Sequence, residues 1–172
     1  MTPQQVILFT VLYGIAMVIA IYFTRATTRR IVGSLVGAAV AGLVAMGVIA
    51  SCEALKWWHI PYAPTFLFAI LFYFGLSVTL TPINLITWRV ARRWGLRGLA
   101  VFVGIVGVIG PPRDYMYAMT FPKWMVFAPG AAPIIADGVA YIAIVVIGHV
   151  VMRVVAGPSG KDSLAHRASK AA

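Results

Sequence analysis

Acidic residues are scarce in this sequence, which contains only four Asp and Glu among 172 residues. Charged residues of both signs make up 10% of the chain, far below the roughly one quarter that is typical of soluble domains. The chain is also 62% hydrophobic, and its apolar runs of about 20 residues are long enough to cross a bilayer. These features exclude an ordinary soluble domain and predict a single all-α integral membrane domain.

Cysteine and metal-binding patterns are lacking as well. Cys52 is the single cysteine, which excludes an intrachain disulfide and a paired-thiol redox centre. The three histidines lie in separate segments, and no HExxH, CxxC, GxSxG, P-loop or DDxxD-type motif occurs. We therefore predict no metal and no cofactor, and the sequence does not favour an enzyme.

Basic residues dominate the charge, and the formal net charge is +10. They lie in short clusters between apolar runs, a pattern typical of cytoplasmic loops rather than of nucleic-acid binding, so no nucleic-acid partner is predicted. Eleven of the 14 Lys and Arg residues fall on the predicted cytoplasmic side, whereas Lys56, Arg113 and Lys123 fall outside. This bias predicts about five transmembrane helices in a plasma (inner) membrane, with the N-terminus outside and the C-terminus cytoplasmic.

The apolar runs divide the chain into one polytopic domain, residues 1–158, and a mobile cytoplasmic tail, residues 159–172. The predicted spans lie near residues 6–23, 31–50, 65–87, 95–111 and 132–156. Small residues recur every four positions in the second span, as at Gly33 and Gly37, which predicts close packing within the subunit. The alternative is a contact between two copies in a homo-oligomer. Trp57, Trp58 and Tyr62, after this span, are predicted to lie at headgroup level.

The stretch from Gly110 to Phe127 has three interpretations. Residues 96–109 would form a helix of only about 21 Å, short of the roughly 30 Å hydrocarbon core. Pro111 and Pro112 either end this helix at the outer interface or lie inside a longer helix with a break. Tyr115 to Phe127 is too short to span, so we predict an outer interfacial or re-entrant segment between helices 4 and 5.

Three of the four acidic residues fall on the predicted outer side, together with many aromatic residues. Asp137 lies one or two turns inside the last span, where an unpaired carboxylate is costly. We predict Arg113 as its partner. Neighbours such as Arg113 and Asp114 do not face each other on a helix, which leaves Arg113 free to reach Asp137 or Glu53. Such an ion pair would either tie the outer loop to the helices as a purely structural contact or take part in a binding or catalytic site. The predicted ligand site consists of Glu53, Arg113, Asp114, Tyr117, Trp124 and Asp137.

A second surface is predicted at the cytoplasmic side, where arginines alternate with two tryptophans. It would contact anionic lipid headgroups through Arg89, Arg92, Arg93 and Arg97.

Three functions remain open at this point. The leading hypothesis is a non-catalytic membrane component that binds a lipid or other apolar small molecule, or a partner membrane protein. The second is a membrane-embedded enzyme for a lipid-phase substrate, which requires a cavity reaching at least two carboxylates. The third is a transporter or channel subunit, which we disfavour because the inner half offers only Asn84, His149 and Arg153 as polar groups.

Overall fold

The fold consists of helices joined by short connections. A computed structural model describes residues 2–61, 65–121, 123–159 and 164. The helices are α1 (Pro3–Thr24), α2 (Thr28–Ala54), α3 (Phe66–Thr120) and α4 (Ala131–Ala156), and a two-residue ladder pairs β1 (Trp58–His59) with β2 (Val126–Phe127). Each of these four helices is long and apolar enough to cross a membrane. Tyr62 and nearly all of the predicted tail lie outside the described residues.

Three helices begin at a threonine cap. The hydroxyl of Thr2 accepts a hydrogen bond from the amide of Gln5, whose side chain accepts one from the amide of Thr2. Thr27 and Thr65 cap α2 and α3 in the same way through their hydroxyl groups, satisfying amides that have no partner within the first helical turn. Because Thr27 caps α2, Arg29 and Arg30 belong to that helix, and the connection between α1 and α2 consists of residues 25–27.

Helix α3 reverses direction at Gly95, which has left-handed φ of 62° and is the only non-helical position between Phe66 and Thr120. Gly75, in the limb formed by residues 66–94, lies against Thr10 of α1. Tyr117, in the limb formed by residues 96–120, packs on Phe9 with ring centroids 5.5 Å apart. Both limbs therefore reach the same part of α1, and each exceeds 30 Å at about 1.5 Å per residue.

The fourth predicted span does not end at Pro111, because α3 continues through Pro111 and Pro112 to Thr120, as in the interpretation of a longer helix. Proline at 111 removes the amide that would bond to the carbonyl of Gly107. That carbonyl instead faces Gly138 of α4, where an added Cβ would lie 2.9 Å from its oxygen. The close approach of α4 covers the altered turn, and the chain leaves the helix only after Thr120.

Small residues of α2 form close contacts with α4, as the prediction of close packing within the subunit requires. An added Cβ at Gly33 would lie 2.7 Å from Cβ of Ala156 in α4. A side chain at Gly37 would run into the carbonyl of Gly148, also in α4. Helix α2 thus packs against α4 along one face, where only glycine or alanine allows the backbones to approach.

The two ends of the helix bundle differ in charge. The end that we call the acidic end holds Glu53, Asp114 and Asp137 and the β1–β2 ladder, together with the basic residues Lys56, Arg113 and Lys123. The arginine end holds the α1–α2 connection, the turn at Gly95 and the C-terminus of α4, and its arginines include Arg25, Arg29, Arg30, Arg89, Arg92, Arg93, Arg97 and Arg153. Among the described residues, no Asp or Glu lies at the arginine end.

Candidate functional site

The polar centre of the acidic end is a three-residue network between α3 and α4. Arg113 donates to Oδ1 of Asp114 through Nε at 3.1 Å and through Nη2 at 2.9 Å. The hydroxyl of Tyr141 donates to Oδ2 of Asp114 at 2.7 Å and also contacts Nη2 of Arg113. Both oxygens of Asp114 are therefore used, and the arginine charge is neutralised within the network.

This network corrects the predicted partner of Arg113. Residues 113 and 114 diverge by about 100° around the helix, and we had expected their side chains to stay apart. The long arginine side chain folds back over its own helix, so that the guanidinium reaches Asp114. Its charge also lies over the ring of Tyr141, 5.2 Å from the centroid. The predicted pairing of Arg113 with Asp137 or Glu53 does not form.

Tyr141 is a site residue that the sequence reasoning missed. An added Cβ at Gly110 would collide with the Tyr141 ring, so this glycine provides the space in which the ring lies. Tyr141 follows Asp137 by four positions, which places both side chains on one face of α4. That spacing was the available signal, and it would have identified Tyr141 once Asp137 was chosen.

Asp137 is buried, and one of its carboxylate oxygens lacks a hydrogen-bond partner among the described residues. Only 6% of the residue is exposed, and its Oδ2 has no hydrogen bond within the described part of the chain. It lies six residues inside α4, about 9 Å from the helix start. Asp114 lies at a matching depth, six residues before the end of α3. An uncompensated carboxylate in such a place is costly. Asp137 is therefore the group in this site that can still accept a hydrogen bond.

A cavity of about 190 Å³ lies beside these residues. All four helices and the connections near β1 and β2 contribute to its wall. Its polar lining residues are Thr10, Tyr13, Thr79, Arg113, Asp114, Asp137 and Tyr141. Its remaining lining is mainly aliphatic and aromatic, and includes Phe9, Phe72, Trp58, Tyr117, Trp124 and Met125. The cavity is therefore amphipathic, with a polar patch set in an apolar wall.

The predicted ligand-site residues fall into two groups. Five of the six line the cavity: Arg113, Asp114, Tyr117, Trp124 and Asp137. Glu53 is not among the lining residues, and its carboxylate instead lies 2.5 Å from Nδ1 of His59. Ligand binding by these residues stays a prediction.

Two tryptophans are buried inside the protein. Trp58 was expected at headgroup level, but it is 4% exposed, packs on Phe127 and lines the cavity. Trp88, one of the two tryptophans that alternate with the arginines, is fully buried beneath the guanidinium of Arg30. Since β1 pairs with β2 over the cavity, Trp58 is held inward with its strand.

The arginine end is built differently. Arg30 is buried and donates to the carbonyl of Pro158 at 3.2 Å, next to the end of α4. Of the four predicted lipid-contact arginines, Arg92 donates to the carbonyl of Ser159 and Arg93 lies over the ring of Trp94. Arg89 and Arg97 lie on either side of the turn at Gly95. Contact of this set with anionic lipid stays a prediction.

Between the two ends lies a layer of buried polar side chains. The amide of Asn84 donates to the carbonyl of Ser34 at 3.2 Å, linking α3 to α2. Nδ1 of His149 lies 3.0 Å from the hydroxyl of Thr87. These contacts join helices, as is usual for polar groups inside membrane proteins. An apolar cluster that includes Leu80, Ile83 and Ile144 separates this layer from the cavity.

No protein-family model, curated protein or solved structure matches this chain. The fold alone supports the class of this protein, which is a helical protein with the architecture of a membrane protein.

Proposed function

We propose that this protein is a non-catalytic, ligand-binding membrane component whose cavity at the acidic end takes a small, mainly apolar molecule. The observation that carries the proposal is the cavity of about 190 Å³, whose mainly apolar lining includes Asp137. One carboxylate oxygen of Asp137 has no hydrogen-bond partner among the described residues. Ligand sites typically combine an apolar lining with a few convergent polar groups. The apolar layer at Leu80, Ile83 and Ile144 supports a closed binding site rather than a path through the protein.

We further propose the threading on which this site depends. The two limbs of α3 are separate crossings, so that the chain crosses the inner membrane five times with the acidic end outside. The excess of arginine at the opposite end supports this orientation. In a Cys52→Ala background, an impermeant maleimide added to intact cells should label Glu53→Cys and should not label Arg93→Cys. Labelling of Arg93→Cys alone would reverse the orientation.

The binding proposal is tested by filling the cavity. Ala140 lines it, whereas the neighbouring Val139 is 58% exposed on the same helix. Wild type, Ala140→Phe and Val139→Phe are extracted into native-lipid nanodiscs, and the small molecules that copurify are identified by mass spectrometry. A specific molecule should accompany wild type and Val139→Phe, and should be lost from Ala140→Phe. Recovery of only bulk lipid, in equal amounts from all three, would refute a ligand-binding cavity.

A membrane-embedded enzyme is the second candidate, because the cavity reaches two carboxylates, Asp114 and Asp137. Asp114 is occupied by Arg113 and Tyr141, so Asp137 would be the acid or base. Incubating the copurified molecule with wild type should then yield a product that Asp137→Asn does not form. An unchanged molecule would leave binding as the function.

A further inference from the structure

The charges that line the cavity do not balance. Arg113 contributes +1, and Asp114 and Asp137 contribute −1 each when ionised, so the lining carries a net charge of −1. The guanidinium of Arg113 already binds Asp114 and contacts Tyr141. Asp137 differs from the other two charged lining residues, because its Oδ2 has no hydrogen-bond partner in the described part of the chain. The missing group is therefore a positive charge or a strong hydrogen-bond donor.

We infer that the ligand of this cavity is a small amphiphilic organic cation, a primary ammonium group on an apolar body, whose head binds the carboxylate of Asp137. The inference rests on the proposed binding function and specifies the chemistry of the ligand. An ammonium group supplies three donors and the compensating charge, and a hydrogen bond between two ionised groups is among the strongest that a site can form.

The rest of the lining suits such a molecule. Aromatic rings of Phe72, Tyr117 and Trp124 border the same space, and the faces of aromatic rings attract cations. The aliphatic wall, which includes Val48, Ile49 and Leu76, takes the apolar body.

Other ligand classes fit less well. An anionic head would meet two carboxylates and an arginine whose charge Asp114 already neutralises. A bare metal ion needs several oxygen or nitrogen ligands, and the described residues contain no group of three or more His, Cys, Asp or Glu that could hold one. A neutral alcohol can bind the carboxylate but leaves its charge uncompensated.

Three probes that share an octyl chain separate these possibilities: octylamine, 1-octanol and octanoate. Binding of each labelled probe is measured at pH 7, where the amine is protonated like a lysine, on purified protein in phosphatidylcholine nanodiscs. Uptake by empty nanodiscs is subtracted, since all three probes also enter the bilayer. Octylamine should bind wild type at least about tenfold more tightly than either other probe, as expected for a charge-assisted contact.

Two variants locate the effect. Asp137→Asn keeps the side-chain shape but removes the charge, and it should weaken octylamine binding about tenfold or more with little effect on 1-octanol. Glu53→Gln removes one charge at the same end of the protein, outside the cavity lining, and should leave octylamine binding unchanged. The comparison of the three probes on wild type needs no variant, so it stands even if Asp137→Asn does not fold.

Each outcome has a defined meaning. If 1-octanol bound wild type as tightly as octylamine or more tightly, and Ala140→Phe abolished this binding, the cationic head group would be overturned. The proposed binding function would stand. Tighter binding of octanoate would overturn it as well and would assign the head group to Arg113. Equal weakening of octylamine by Asp137→Asn and Glu53→Gln would reduce the preference to general surface charge and refute the inference. If none of the probes bound above empty nanodiscs, both the inference and the proposed function would fail.

Discussion

The two halves of this protein use polar residues in opposite ways. In the half toward the arginine end, buried polar groups such as Asn84 and His149 bond across helices and fill a packed interior. In the half toward the acidic end, the network of Arg113, Asp114 and Tyr141 borders a cavity. Asp137 beside it has an oxygen that no described residue satisfies. One half holds the helices together, whereas the other leaves a charged group and a space available to a ligand.

The difference follows from which residues the helices bring into contact. Glycines of α2 let the backbones of α2 and α4 touch near Gly37 and Gly148, which leaves no space between them. Toward the acidic end, the large side chains of Phe72, Tyr117 and Trp124 surround the space instead. Small residues close a helix interface because they permit backbone contact, while large rings hold the helices apart and line the space that remains.

The largest expected loss of stability comes from breaking the ion pair beside the cavity. Arg113→Met leaves Asp114, whose side chain is only 12% exposed, with the Tyr141 hydroxyl as its hydrogen-bond donor. Removing one partner of a buried pair costs 3–5 kcal/mol, and since a third of the Arg113 side chain is exposed we expect about 3 kcal/mol. The measurement is the free energy of unfolding in mixed detergent–SDS micelles.

The matched control for this pair is the double variant Arg113→Met with Asp114→Leu. Replacing both charges by apolar side chains should recover most of the lost stability, because no uncompensated carboxylate remains. A single variant as stable as wild type would show that the pair contributes nothing and that the acidic end is held by packing alone.

The second effect tests packing in the opposite half. Gly37→Leu forces a side chain against the carbonyl of Gly148 and the amide of Asn84. Overpacking of this kind typically costs 1–3 kcal/mol, and we expect about 2 kcal/mol in the same unfolding measurement. Gly47→Leu on the same helix meets open space and should stay within about 0.5 kcal/mol of wild type. Equal losses in both variants would contradict the close helix contact.

The smallest effect separates packing from hydrogen bonding in that half. Asn84→Leu fills similar space but removes the bond to the carbonyl of Ser34, and bonds between membrane helices contribute about 1 kcal/mol. Thr79→Val is the control, since the Thr79 hydroxyl bonds within its own helix, to Leu76. A loss in Asn84→Leu as large as that in Arg113→Met would remove the distinction between the two halves.

Some features of the candidate site were accessible from the sequence. The last apolar run was predicted at residues 132–156, and α4 spans Ala131–Ala156, because a long run bounded by glycine and proline defines a helix locally. Five of the six predicted ligand-site residues line one cavity. They were predicted together because successive connections fall on alternate sides of the membrane, which brings every second connection to the same side. The length of α3 was not accessible, because proline is normally a helix breaker and the close contact with Gly138 depends on another part of the chain.

The sequence by itself determined that this chain forms long apolar helices, with arginines at one end and most acidic residues at the other. Hydropathy and charge form patterns over consecutive residues, so both can be read along the chain. Only the tertiary structure decided that Arg113 pairs with Asp114, that Tyr141 joins them, and that Asp137 keeps an unsatisfied oxygen beside a cavity. These depend on how closely α3 and α4 approach, a distance set by packing between residues far apart in sequence.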